Sequence, residues 1–328
     1  MPGLPLPDSY RERGSEGEAM ENENKTITNS TSFKLVSKVK DYFQLIKFTL
    51  SFMVVFSTVV SFLIAPNEQH FVREKILSVL LLFVAGMLIT GSANAINQIL
   101  EKTSDGLMMR TAKRPVASGR MGVNEAGFFA FITGVAGIFM MWKFFNTESA
   151  LISLLSLFLY GFIYTPLKKV NSISVLVGAI PGALPCLIGW VAAYGNDPVS
   201  WIGAWVLFGI QFLWQFPHFW AIAWLAHKDY TNAGFKLLPS DKGPTKFTAV
   251  QSIIYSTLMI PVGFLPYLTG MTGLLSMFIL LACNLWMVYV SVMLFIRMDA
   301  KSARKVMFSS YFYLMIVLLA LFANRMVQ

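Results

Sequence analysis

Residues 76–98 read ILSVLLLFVAGMLITGSANAINQ and residues 99–120 continue ILEKTSDGLMMRTAKRPVASGR. The first run is long enough, at about 1.5 Å per residue, to carry a helix across a hydrocarbon core of about 30 Å. Lipid offers the backbone no hydrogen-bond partner, so an unbroken apolar run of this length has to be helical. Its last turns become polar at Asn94, Asn97 and Gln98, and the second run is the most densely polar stretch between two apolar segments. The pair reads as a membrane span that delivers a polar helix end to the membrane surface.

The same length rule, carried outward, gives nine spans at about 43–65, 76–98, 122–144, 149–166, 172–194, 201–226, 247–269, 272–297 and 306–325. The expected fold is all-α: a polytopic membrane protein of nine transmembrane helices around a central cavity that opens to the cytoplasmic side. Composition agrees, since 55% of the 328 residues are hydrophobic and only 13% charged, which excludes a soluble domain. With the N-terminus inside, nineteen Lys and Arg fall on the inner segments and four (Arg73, Lys75, Lys143, Arg325) on the outer ones. Topology thus accounts for the net charge of +9 and leaves no call for nucleic acid. Residues 1–40, rich in Asp and Glu and poor in apolar side chains, are expected to form a disordered cytoplasmic tail, and 41–328 the transmembrane domain. The tail has neither a signal-peptide nor a transit-peptide pattern, so a bacterial inner membrane is expected, with the C-terminus outside. Cys186 and Cys283 lie in apolar runs without CxxC or CxxCH spacing and read as packing residues. The two inner loops that hold the informative stretches follow spans two and six, as a duplicated four-helix unit would place them.

Asn97, Glu101 and Asp105 recur every fourth residue and so share one slowly drifting helix face. Oxygen ligands of this kind suit Mg²⁺, which takes one or two carboxylates and leaves its other positions to water and phosphate oxygens. Arg110, Lys113, Arg114 and Arg120 follow at once, in the form of a diphosphate grip. A carboxylate ladder beside a basic cluster at a membrane edge points to a lipid diphosphate. The plain alternative is a solvated helix face next to an ordinary basic loop.

The sixth span ends in WQFPHFWAIAWLAHKDYTNAGFKLLPSDKG, residues 214–243. Pro217 there, like Pro181 and Pro185 in the fifth span, is expected to kink its helix and mark a cavity, because a freed carbonyl in lipid must find another partner. Trp214, Gln215, His218, Phe219, Trp220 and Trp224 form a set able to stack on a large flat ring and bond its edge. His218 invites an iron-ligand reading against that of a hydrogen-bonded structural histidine. For His227 at the membrane edge and His70 in an outer loop the surface reading is preferred. Asp229 could hold a second metal ion, or be a loop acid beside Lys228.

Together these stretches resemble the intramembrane aromatic prenyltransferase superfamily and, within it, the haem O synthase (protohaem IX farnesyltransferase) family, over about residues 41–325. The resemblance rests on Asn97-x-x-x-Glu101-x-x-x-Asp105 with Arg110-Thr111 and Arg114-Pro115; on Tyr164-Thr165 through Lys168 and Gly178 to Trp190; and on Trp214-Gln215-Phe216-Pro217-His218-Phe219-Trp220 with Lys228-Asp229-Tyr230 and Ala233-Gly234. It implies transfer of farnesyl from farnesyl diphosphate to a vinyl group of haem B, with addition of water, giving haem O and diphosphate. It further implies Mg²⁺ on Asn97, Glu101, Asp105 and Asp229, diphosphate held by Arg110, Lys113, Arg114 and Lys47, and haem held by Trp214, Gln215, His218, Trp220 and Tyr164. The bilayer is the medium, and haem A synthase or a terminal-oxidase assembly pathway is the implied recipient. The chain departs from the superfamily in having Ala233 four residues after Asp229, where a second acidic ladder would continue, with Asp241 as another candidate. Lys47 is followed by Phe48, where related sequences often have proline. Competing readings are a quinone-type aromatic prenyltransferase, and a transporter or haem chaperone without chemistry.

Overall fold

Hydrophobicity alone makes the spans helical; what separates them is how much protein covers each one. The computed structural model describes residues 37–66, 72–195, 197–240 and 242–326. The acidic tail through residue 36, His70 and Asp241 lie outside the described residues. The elements in chain order are α1 (Ser37–Leu45), α2 (Phe48–Ile64), α3 (Val72–Leu100), the short α4 (Lys102–Leu107), α5 (Val123–Phe144) and α6 (Thr147–Phe158). A π-helical turn, Leu159–Tyr164, joins α6 to α7 (Thr165–Leu167), and α8 (Ser174–Ala192), α9 (Trp201–Leu225), α10 (His227–Asn232), α11 (Lys246–Leu268), α12 (Leu274–Arg297) and α13 (Ala300–Ala323) follow. Leu45–Gln328 forms one compact unit. Among the described residues eight helices are long and apolar enough to cross a membrane, and nine when α1 and α2 are counted together as one span. Among the described residues the only β pairing is an isolated bridge, Thr272 to Arg325.

Two helices form the centre. Some 78% of the apolar window of α8 and 67% of that of α9 is buried, against 22% to 39% in α3, α5, the span from α6 through α7, α11, α12 and α13. Small residues allow this depth of packing: a Cβ on Gly189 of α8 would overlap the Thr58 carbonyl of α2, and one on Gly182 would overlap the Gln215 amide of α9. α8 and α9 run through Pro181, Pro185 and Pro217 as continuous helices. At Pro185 a neighbour stands in for the missing N–H: Ser156 Oγ donates to the Pro181 carbonyl at 3.4 Å. Asn146 closes the turn between α5 and α6, accepting from Ser149 N at 2.7 Å as an N-cap while its Nδ2 donates to the Val191 carbonyl at 2.8 Å.

Candidate active site

The acidic ladder stands on the polar end of α3 and on α4. Asn97 and Asp105 are fully buried and Glu101 is 4% exposed, so the solvated-face alternative is excluded. The helical path continues across the boundary, with Glu101 N bonded to Asn97 O at 2.9 Å and Asp105 N to Glu101 O at 2.7 Å. Burying carboxylates is costly unless each is paired, and each rung has its own cation. Lys47 Nζ donates to Asn97 Oδ1 at 2.7 Å. Lys168 Nζ donates to Glu101 at 2.8 Å. Arg114 Nη1 reaches both Asp105 oxygens, at 2.8 and 2.7 Å.

Local backbone chemistry puts these partners in place. Lys47, at the N-cap of α2, sits at φ 48°, a left-handed conformation rare for a residue with a Cβ. The π-helical turn before α7 shifts the face of the chain by a fraction of a turn, as such bulges do at functional sites. It delivers Thr165, whose Oγ1 donates to Tyr160 O at 2.8 Å and accepts from Asn97 Nδ2 at 3.2 Å. One turn on, Lys168 carries its ammonium 4.4 Å above the Tyr164 ring. That ring fills the space left by Gly178, where a Cβ would lie 2.5 Å from two of its carbons. Lys236 N donates to the Lys168 carbonyl at 2.8 Å, tying the loop after α10 to this corner. Arg110, exposed, donates to Tyr230 Oη at 3.2 Å. A cavity of about 350 Å³ lies alongside, lined in part by Tyr230, Thr231, Phe235 and Lys236.

Not every expected residue joins. Lys113 is exposed and makes none of the ladder contacts, while Arg120 folds back on its own loop to Ser118 Oγ and Lys113 O. Asp229 is half-buried on α10, and among the described residues no three His, Cys, Asp or Glu side chains gather around a common point. The α9 set divides over three faces. Gln215 donates to Ala179 O of α8 at 3.0 Å. Trp214 and His218 stack on each other at 4.9 Å and turn to Ser310 of α13. Trp220 packs with Phe216 and Tyr255 of α11.

The model of the UbiA prenyltransferase family matches residues 54–318. This chain belongs to that family. It is 42% identical over 294 residues to a protein of Cytophaga hutchinsonii named protoheme IX farnesyltransferase, covering 89% of this chain and 99% of the relative. A protein of the same name from Flavobacterium johnsoniae is 39% identical, covering 88% and 95%. Among solved structures, that of a digeranylgeranylglyceryl phosphate synthase shares the fold at a TM-score of 0.72 and 22% identity, covering 88% of this chain and 98% of that one. A UbiA homologue of Archaeoglobus fulgidus, solved bound to GPP and Mg²⁺, shares it at 0.58 and 13%, covering 86% and 99%.

For a UbiA-family site, the donor set fits Mg²⁺ rather than a transition metal: one amide and two carboxylate oxygens, no thiolate and no imidazole. An ion that completes its shell from substrate phosphates and water needs no cage of three acids. Lys168, Thr165, Tyr230 and Gly178 are the members of the site that the sequence reading left without a role. Lys168 and Thr165 had a signal, a polar pair beside the end of an apolar span, but positive-inside topology accounted for the lysine.

Proposed function

We propose that this chain transfers the farnesyl group of farnesyl diphosphate to a vinyl group of haem B in the membrane, with addition of water, giving haem O and diphosphate. The observation that carries it is the buried ladder in which Asn97, Glu101 and Asp105 are each matched to a cation. The identity of 42% to a protein named for this reaction, covering 99% of its length, supports haem as the acceptor. The GPP and Mg²⁺ bound to the Archaeoglobus fulgidus homologue support the same metal and substrate class here.

Asn97, Glu101 and Asp105 would hold Mg²⁺, which when bound supplies neutralisation of the departing diphosphate; Asp229 is proposed to act from the α10 side. Lys47, Lys168 and Arg114 already stand against the ladder oxygens, and Arg110 and Lys113 lie outward of them. Arg114 uses only Nη1 on Asp105, and its Nε and Nη2 are proposed to meet the substrate's charge. Neutralising the leaving group lets the allylic C–O bond break; the vinyl carbon of haem attacks the farnesyl cation, and water adds to the resulting cation with loss of a proton. Aromatic and apolar walls keep other water away until that bond forms. Trp214, Gln215, His218, Trp220 and Tyr164 are proposed to surround the porphyrin. The ladder side is proposed to be cytoplasmic and the C-terminus outside, in a bacterial inner membrane, with product passing to haem A synthase or to oxidase assembly. Mass spectrometry of haems from a host lacking its own haem O synthase and expressing this chain tests the reading: a farnesylated haem supports it, and haem B alone with ample protein in the membrane refutes it.

A further inference from the structure

His218 stands in a hydrogen-bond relay with Ser310 of α13. Its Nδ1 lies 2.8 Å from Ser310 Oγ, and that hydroxyl itself donates to the Met307 carbonyl at 2.6 Å. A serine hydroxyl has one hydrogen. Given to Met307, the nearer of the two acceptors in reach, it leaves Oγ to accept, and in that arrangement the imidazole donates from Nδ1 and bears its lone pair on Nε2. Trp214 holds the arrangement: its Nε1 donates to the Ser310 carbonyl at 2.7 Å and its ring lies within 16° of parallel to the imidazole. Tyr311 and Phe219 meet the ring edge-on at 4.9 and 5.4 Å. Nε2 bonds to none of the described residues, yet it is not among the sealed buried polar atoms such as Asn94 Oδ1. A histidine fixed by an Nδ1–H donation, with a reachable Nε2 and aromatic walls, is the arrangement proteins use to present imidazole to a metal.

We propose that Nε2 of His218 is an axial ligand to the iron of the haem substrate, with Ser310 as the positioning residue that fixes the tautomer. This rests on the reading of haem B as acceptor. A bond from iron to one fixed atom sets the porphyrin's depth and tilt, so it serves to choose which edge is presented to the prenyl cation.

The full-length protein in nanodiscs, loaded with one equivalent of ferric haem B and followed by absorption and electron paramagnetic resonance, tests the idea. Wild-type protein should give a histidine-ligated spectrum. His218→Gly should lose it and recover it with free imidazole at concentrations too low to ligate haem B in empty nanodiscs, a rescue that a merely structural histidine would not show. His218→Met, which keeps volume and offers a thioether, should shift the ferrous spectrum rather than restore the wild-type one. Ser310→Ala should lower the ligated fraction while leaving the histidine in place, and His227→Ala should change nothing. The proposal is overturned if wild type shows no histidine-type spectrum, if His218→Gly leaves the iron signals unchanged, or if His227→Ala removes them. Haem extracts taken after farnesyl diphosphate and Mg²⁺ are added to the same preparations separate the two levels: farnesylated haem with His218-insensitive iron defeats ligation alone, whereas no farnesylated haem from wild type defeats the reading beneath it.

Discussion

Gly178→Ala offers a quantitative test of the site, because the substitution touches no ligand and acts only through geometry. The new Cβ would stand 2.5 Å from the Tyr164 ring, and ordinary contact begins at 3.4 Å, so the ring has to retreat by about 0.9 Å. Gly178 belongs to the buried α8, which cannot yield, while Tyr164 lies half-buried at the end of the π-helical turn. Lys168 rides on that ring at 4.4 Å and bonds Glu101 at 2.8 Å, so the displacement passes to the ammonium and to the carboxylate it holds. Misplacement of a reacting constellation by about 1 Å costs on the order of 100-fold. We expect kcat/KM for farnesyl diphosphate to fall by about 10- to 100-fold, with a stability loss of about 1–3 kcal/mol from overpacking. Gly127→Ala, where no atom lies within 4 Å of the new methyl, is the control and should be silent. The assay is haem O formation in isolated membranes with each substrate varied in turn. An unchanged kcat/KM for farnesyl diphosphate in well-folded Gly178→Ala would refute the chain of contacts from α8 to Glu101.

Glu101→Ala and Asp105→Ala should each abolish turnover while the protein remains folded in the membrane; near-normal haem O from either would reduce the buried pairs to structural ion pairs. Arg114→Ala removes charged hydrogen bonds worth about 1.5–3 kcal/mol, so use of farnesyl diphosphate should weaken by roughly 10- to 150-fold, and a rise confined to the haem KM would contradict the assignment. Cysteine placed at the exposed Ser118 should react with impermeant reagents only from the ladder side; labelling in intact cells from outside would invert the proposed topology.

Length and apolarity made the spans legible: the expected segment 201–226 is found as Trp201–Leu225, and 122–144 as Val123–Phe144. The ladder was legible as a spacing, but its burial was not, because charge and polarity read the same whether a helix face meets water or a row of lysines and arginines. Pairs such as Lys168 with Glu101, 67 positions apart, exist only through tertiary packing. The π-helical turn that delivers Thr165 has no signature in a sequence as apolar as LYGFIY. The arrangement of the α9 aromatics was hidden for a different reason. A period of 3.6 already separates Trp214 and His218 from Phe216 and Trp220, so their division over different faces was present in the spacing and masked by treating proximity in sequence as proximity in space.

The double duty of Asn146 bears on how the chain enters the membrane. Its oxygen caps α6 locally, but its Nδ2 waits for the carbonyl of Val191, 45 residues further along. At a synthesis rate of about 5–20 residues per second that carbonyl emerges roughly 2–9 s later. During that interval the hairpin of α5 and α6 can sit in the bilayer with its amide served by interfacial water, free to rotate against its neighbours. Arrival of α8 removes the water and fixes the hairpin's height. The central helix is thus also the clamp that ends the adjustable stage of insertion, and an Asn146→Ala chain should insert its spans in the same order while leaving this hairpin slow to settle.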